Sequence, residues 1–566
     1  MLSTQYDPRT CCWQGPSRPP VLNPAANLGQ VLLNVLERTP EKQAQVNGDT
    51  GYIMSCDELR RRSIRFARAL ISDGCGKGDV VALMARNSDD VAPVLFGCFL
   101  AGATVSTLDP SFGVEEVEHL LRLTQPRNVI ADGDALPVIY EAAERIGLSF
   151  DTRQYVLLHG GTAGERMSAS VVHVSAITME QTAASEEDSF LPAYRGDSAQ
   201  LTAAIVCSSG TTGLPKAVRL SHAQLIAPYQ RISQLDLSDT ILCFSTLYWI
   251  SGLQMLMTGV LNGIRRVITT RPTTPELAIE LCNAHRVTLL MVTPSMATDI
   301  IRTLGPSERL PHIRLFAVGG STVPQRLRDD INRRVLSVDR GRSLVGYGTS
   351  ETGNIAYDLS VREDSVGFLL PGVTAKILAD DGRPLGPDEV GELLVRPPYP
   401  FLGYYGNEAA TQEALGADGF VRTGDIARFD SDGYLYLVDR KREIFKYEGF
   451  QIAPSELEET IAQLDGVRCV VVVGLPDPTR PSNELATALV VREAYESAGS
   501  PNALTEQQVI DHCARTPDGR VRPKHKWLRG GVIFVDHLPM TASGKVQRSA
   551  AKKQAAHEWN RRHLSS

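Results

Sequence analysis

Residues 27–151 alternate between two hydrophobic periods. Residues 56–73 and 114–123 repeat apolar positions at spacings of three and four, as amphipathic helices do, whereas residues 79–84 and 128–130 are short, continuous apolar runs. That alternation predicts a parallel sheet covered by helices, because parallel strands need helical crossovers. The pattern returns over residues 223–337. There residues 287–292 read as a strand closed by Pro294, and residues 315–318 as a strand emptying into Gly319-Gly320-Ser321-Thr322. Ligands of such sheets bind beyond the carboxyl ends of the strands, where these turns collect. Residues 91–108 and 248–264 lack charge and invite a membrane reading, but their Pro, Gly, Gln and Asn content fits buried elements of a large α/β fold better. Residues 152–200, rich in Ser, Ala and Gly with an acidic patch at 186–188, read as a surface connection. Residues 1–26, with Pro8, Pro16, Pro19 and Pro20, read as a loose arm without the apolar core of a signal peptide.

Candidate chemistry concentrates after strands. The apolar run 201–206 leads into Cys207-Ser208-Ser209-Gly210-Thr211-Thr212-Gly213-Leu214-Pro215-Lys216. Glycines let the backbone turn its N–H groups outward, hydroxyls add donors, and Lys216 adds a charge suited to polyphosphate oxygens. Only two residues separate Gly213 from Lys216 and no hydroxyl follows the lysine, so this is not the P-loop of the NTPases. A solvated strand-to-helix loop has the same composition. The second cluster, Gly346-Tyr347-Gly348-Thr349-Ser350-Glu351-Thr352, follows the short strand 343–345. It offers a carboxylate for a hard divalent cation at Glu351 and a flat face for a base at Tyr347. In the third, Asp425 is expected to be exposed by the turn at Gly424 and to accept from both hydroxyls of a ribose, with Arg440 reinforcing the same sugar. A fourth, residues 538–548, sets Lys545 beside Gly544.

Composition narrows the class. At 566 residues, three or four structural units are expected. A formal charge of −7 and the lack of a basic, aromatic-studded face argue against general nucleic-acid binding. Ten cysteines with no C-x-x-C pair suggest reduced thiols in a cytoplasmic compartment, and the terminal Leu564-Ser565-Ser566 is not a peroxisomal address. Residues 515–566 hold 12 Lys and Arg against three Asp and Glu, an excess that attracts coenzyme A phosphates or solvates a tail.

Taken together and in order, these motifs resemble those of the acyl-adenylate-forming superfamily across residues 30–550. The branch most similar is that of 4-coumarate-CoA ligases, fatty acyl-CoA synthetases and beetle luciferases. The resemblance implies an α/β fold: a large N-terminal AMP-binding domain, residues 27–440, of layered βαβ sheets plus a small β-barrel. A mobile α+β C-terminal domain, residues 441–550, and a basic tail, 551–566, follow. It implies Ser208 to Gly213, Lys216, Gly320, Ser321, Gly346, Tyr347, Gly348, Ser350, Asp425, Arg440 and Gln451 as ATP contacts. Glu351 is the Mg²⁺ ligand, Trp249 a catalytic-pocket residue and Lys545 the adenylation lysine. Lys446, Gly449 and Phe450 line the coenzyme A path, with Lys446 serving the second half reaction. The hinge position carries Arg442, where the family usually has Asp or Lys.

The implied activity is that of an AMP-forming acid–thiol ligase using ATP, Mg²⁺ and coenzyme A. A fatty acid is the first expected substrate and an arylpropenoic acid the second. No transmembrane segment and no carrier-protein domain are expected. Trp249, Asn354 and Ile355 crowd a luciferin-shaped pocket, which disfavours the light-emitting alternative. The retained charged residues disfavour a silent binding protein.

Overall fold

The strand Val80–Met84 is buried at every position, as a parallel strand with helices on both faces must be. It sits inside a sheet ordered 216–221, 202–208, 104–108, 80–84, 128–131, 154–156, 171–173. All neighbours in it are parallel except the hairpin 202–208/216–221. The computed structural model describes residues 3–17, 19, 22–23, 25–150, 154–157, 171–180, 184–193, 196–208, 215–226, 238–337, 341–358, 362–448, 450–480, 483–493, 504–516, 520–540 and 545–563.

Helix Cys56–Ser72 starts where the Ser55 side chain accepts from the Glu58 N–H. Its apolar face packs on Val91–Ala101, a helix buried at every position. That burial explains its missing charges. Among the described residues no helix is long and apolar enough to cross a membrane.

A second sheet runs 368–369, 353–358, 342–349, 315–319, 289–292, 240–243, 265–268, 43–47, 53–55. Strand Leu315–Gly319 pairs in parallel with Arg342–Thr349, setting Gly319 against Gly346. The two Gly-rich turns found in the sequence therefore leave adjacent strand ends side by side.

Part of the arm expected to be loose is structural. Residues Gln5–Asp7 and Cys12–Gln14 form a hairpin that extends an antiparallel sheet with 374–378, 391–396, 421–429 and 435–440. Trp13 is 1% exposed and stacks on Phe429 at 4.5 Å between centroids. The flanking prolines masked an alternation only three residues long per strand. Trp13→Ala is expected to cost about 3–5 kcal/mol and to lower the melting temperature without changing ligand affinity in the folded fraction. In the connection at 184–193 Glu186 and Asp188 are exposed, whereas buried Glu187 accepts from Arg61 at 2.6 Å and Arg65 at 2.5 Å.

The C-terminal part combines the hairpin 445–447/450–452 with a sheet ordered 467–476, 484–492, 531–534, covered by helices Pro454–Ile461, Glu506–Cys513 and Arg548–His563. The last helix replaces the expected tail. Ala551 and Ala555 are fully buried against the sheet, while its basic residues point to acids such as Glu484 and Glu506.

Candidate active site

Three groups of side chains assemble where the Gly-rich strand ends meet the C-terminal part. The first begins at the hairpin, whose register pairs Ser208 with Lys216. Ser209, Gly210, Thr211, Thr212, Gly213 and Leu214 lie outside the described residues. Lys216 places its Nζ 4.9 Å from the centroid of the Tyr404 ring. Tyr404 in turn donates its hydroxyl to Glu351 Oε1 at 2.9 Å. Burial, and then the Glu351 charge, push the Tyr404 phenol well above its usual pKa, so it stays a donor.

Tyr404 thus links Lys216 to the Glu351 carboxylate, a link that sequence reasoning missed. The available signal was the pair Tyr404-Tyr405 between Gly403 and Gly406, with Phe401 just before it. It becomes a site element only through pairing, with Tyr405 N donating to Ala217 O at 2.7 Å.

In the second group Tyr347 donates its hydroxyl to Asp425 Oδ2 at 2.6 Å, and Arg440 Nε sits 2.9 Å from Asp425 Oδ1. The cross-strand register Asp425↔Arg440 creates this pair. Asp425 is not exposed, as the sequence suggested, but 5% accessible. Gly424 supplies the expected turn with φ +74°, yet the strand then carries Asp425 beneath Tyr347. Burial raises the Asp425 pKa, and Arg440 and the Tyr347 hydroxyl oppose that rise. A carboxylate has about four acceptor positions, so two partners leave room for a ligand.

The third group brings Lys545 across from the C-terminal part. A Cβ on Gly320 would lie 2.9 Å from Lys545 Cε, and Gly320 has φ +93°. Glycine is favoured there by its left-handed conformation, and a side chain would also push on the end of Lys545. Lys545 Nζ lies 5.3 Å from the Trp249 ring centroid, and Tyr248 braces Trp249 edge-on at 4.9 Å. Burial, with Arg440 second, lowers the lysine's pKa. Ser321, Gly348 and Ser350 flank these turns, Ser321 and Gly348 being exposed.

The remaining expected residues stand apart. Lys446 and Gln451 are cross-strand partners on the exposed face of the 445–447/450–452 hairpin. Among the described residues no hydrogen bond joins Gln451 to the three groups. Phe450 stacks on His525 at 4.1 Å, and Gly449 lies outside the described residues. Arg442 follows Arg440 at the junction, 3.7 Å from Glu443. Burial and the neighbouring Arg440 lower its pKa.

A cation at Glu351 would meet a carboxylate fixed by the Tyr404 hydroxyl. Among the described residues no cluster of three or more His, Cys, Asp or Glu could hold a metal. That poverty fits Mg²⁺, which takes few carboxylates and completes its shell with phosphate and water.

Two family profiles match the two parts of this α/β fold. The profile described as "AMP-binding enzyme" matches residues 32–405, and that described as "AMP-binding enzyme C-terminal domain" matches residues 456–545. The chain belongs to this family, the acyl-adenylate-forming superfamily. It is 30% identical over 530 residues to 4-coumarate--CoA ligase-like 4 of Oryza sativa subsp. japonica, covering 90% of each chain. To luciferin 4-monooxygenase of Luciola mingrelica it is 26% identical over 520 residues, again covering 90% of each. The anthranilate CoA ligase AuaEII in complex with anthranoyl-AMP superposes with a TM-score of 0.81 at 21% identity, covering 95% of this chain and 98% of that one. This last likeness is one of fold.

Proposed function

We propose that the chain is an ATP-dependent carboxylic acid:CoA ligase acting through an acyl-adenylate. The observation that carries the reading is Lys545, delivered by the C-terminal part against Gly320 and Trp249 while Lys446 of the same part stays exposed. In the first step the acid's carboxylate oxygen bonds to the α-phosphorus of ATP, and the bond to the bridging oxygen breaks, releasing pyrophosphate. Lys545 counters the charge that builds on the transferred group, Lys216 holds phosphate oxygens, and Asp425 with Arg440 holds the ribose. Glu351, fixed by Tyr404, would hold Mg²⁺, which neutralises phosphate charge when bound. In the second step the thiol sulfur of coenzyme A bonds to the acyl carbon, AMP leaves and the thiol proton goes to solvent. Lys446, Phe450 and Gly449 belong to that step, with Arg442 as pivot. The ten unpaired thiols fit a cytoplasmic compartment.

The test is ATP–pyrophosphate exchange over a panel of fatty and arylpropenoic acids, followed by thioester formation with coenzyme A. Absence of exchange with every acid overturns adenylation. Exchange without a CoA thioester overturns the ligase reading, and photon output with luciferin points to the monooxygenase instead.

Asp425→Ala is expected to raise the KM for ATP by roughly tenfold or more, since it removes the ribose acceptor and leaves Arg440 and Tyr347 unpaired. The melting temperature should fall as well, since the unpaired buried Tyr347 hydroxyl costs about 1–3 kcal/mol, but the folded fraction should still show the ATP defect. A collapse of stability with normal ATP affinity in the surviving fraction would make Asp425 a structural residue.

A further inference from the structure

The turn that carries Lys545 is closed at its base by the bridge Met540↔Val546 and by Gln547 N, which donates to Pro539 O at 2.8 Å. The next residue, Arg548, opens helix Arg548–His563. Its guanidinium Nη2 donates to Glu458 Oε2 at 2.5 Å and Nη1 to Val472 O at 3.2 Å, while Nε lies 2.6 Å from Glu443 Oε2.

Glu443 follows Arg442 at the junction, and Glu458 belongs to helix Pro454–Ile461. One planar fork therefore fixes the junction, that helix and the base of the Lys545 turn relative to one another, which a lysine's point charge could not do. Glu458 is itself held, its Oε1 accepting from Val472 N at 2.7 Å. A third carboxylate comes from the other side of the junction: Asp439, buried on strand Leu435–Arg440, accepts from Ser455 N at 3.0 Å. Burial alone would lower the Arg548 pKa, and the charges of Glu458, Glu443 and Asp439 overcome it and raise it. Arg548 is thus a cation on which acids from before and after Arg442 converge, three residues from Lys545.

We propose that Arg548 is a positioning residue of the first half reaction, tying Glu443 at the junction to Glu458 and so setting the turn that holds Lys545 against Gly320 and Trp249. The inference rests on the ligase reading above and deepens it. A group that stabilises developing charge has to be held closely in place by its neighbours, and this fork is what holds the turn. Rotation about the junction carries Glu458 and Arg548 away from Asp439, so the full cluster belongs to the pose that presents Lys545.

The experiment measures pyrophosphate exchange with the acid of the above panel that the wild-type protein accepts best, and thiolysis of its synthetic acyl-adenylate by coenzyme A. Arg548→Met and Glu443→Ala should each lower kcat for exchange by roughly tenfold or more, since an ångström of misplacement at a reacting group costs about a hundredfold. The KM for ATP and the thiolysis rate should stay near wild type. Arg548→Met strands the Glu458 charge; if it does not fold, Glu458→Gln with Arg548→Met removes that charge, and Glu443→Ala leaves the Arg548–Glu458 pair intact. Equal losses in the two half reactions, or wild-type exchange in the folded variants, overturn the inference while leaving the ligase in place. Failure of the wild-type protein to support exchange with any acid of the panel removes the ligase reading, and this inference with it.

Discussion

Lys545→Ala should slow acyl-adenylate formation by about two orders of magnitude or more, while thioester formation from preformed acyl-adenylate falls much less. The lysine is held in a partly buried position, its stem against Gly320 and its ammonium over Trp249. A charge so placed acts without reorganising solvent, and only the first half reaction builds negative charge on a phosphoryl group. The same burial gives a pH signature. Lowered by desolvation and by Arg440, the lysine loses its proton at a lower pH than an exposed one. The alkaline limb of pyrophosphate exchange should therefore begin below the usual lysine range and vanish in Lys545→Ala. Stopped-flow adenylation with the pure acid and a separate thiolysis assay measure the two steps. Equal losses in both would remove Lys545 from its assigned role.

Much of this arrangement was legible in the chain because parallel strands write themselves as unbroken apolar runs. Residues 315–318 and 343–345 were found that way, and their Gly-rich sequels meet because Gly319 and Gly346 share a register position. What escaped has physical causes. Trp13 anchors a hairpin of three-residue strands, too short for any period to show. Tyr404 owes its role to a partner 53 residues away, and no local pattern carries such a pairing. Asp425 looked exposed since its turn is glycine, but cross-strand placement under Tyr347 buried it.

Lys446→Ala should leave pyrophosphate exchange near the wild-type rate and slow acyl-CoA formation by roughly tenfold or more, the loss expected for one preorganised cation. Lys446 and Lys545 belong to the same small unit, yet Lys545 reaches Gly320 while Lys446 lies on an outward-facing strand across from Gln451. On the proposed ligase reading one rigid pose would not serve both lysines, and a rotation about the junction near Arg442 would present each in turn. Among the described residues the polar contacts holding the present pose include surface pairs of Arg468 with Asp299 and Arg326 with Asp465. Arg302 pairs with Glu493, and Arg326 donates to Gln463 O at 2.8 Å. Exposed pairs of this kind contribute about 0–1 kcal/mol each, so binding of coenzyme A is able to outweigh them, and domain motion of this type falls in the microsecond-to-millisecond range. Rates measured separately for the two half reactions decide the matter. Wild-type rates in both would leave Lys446 a solvated surface cation, and lost exchange with retained thioester formation would show the two lysines in each other's roles.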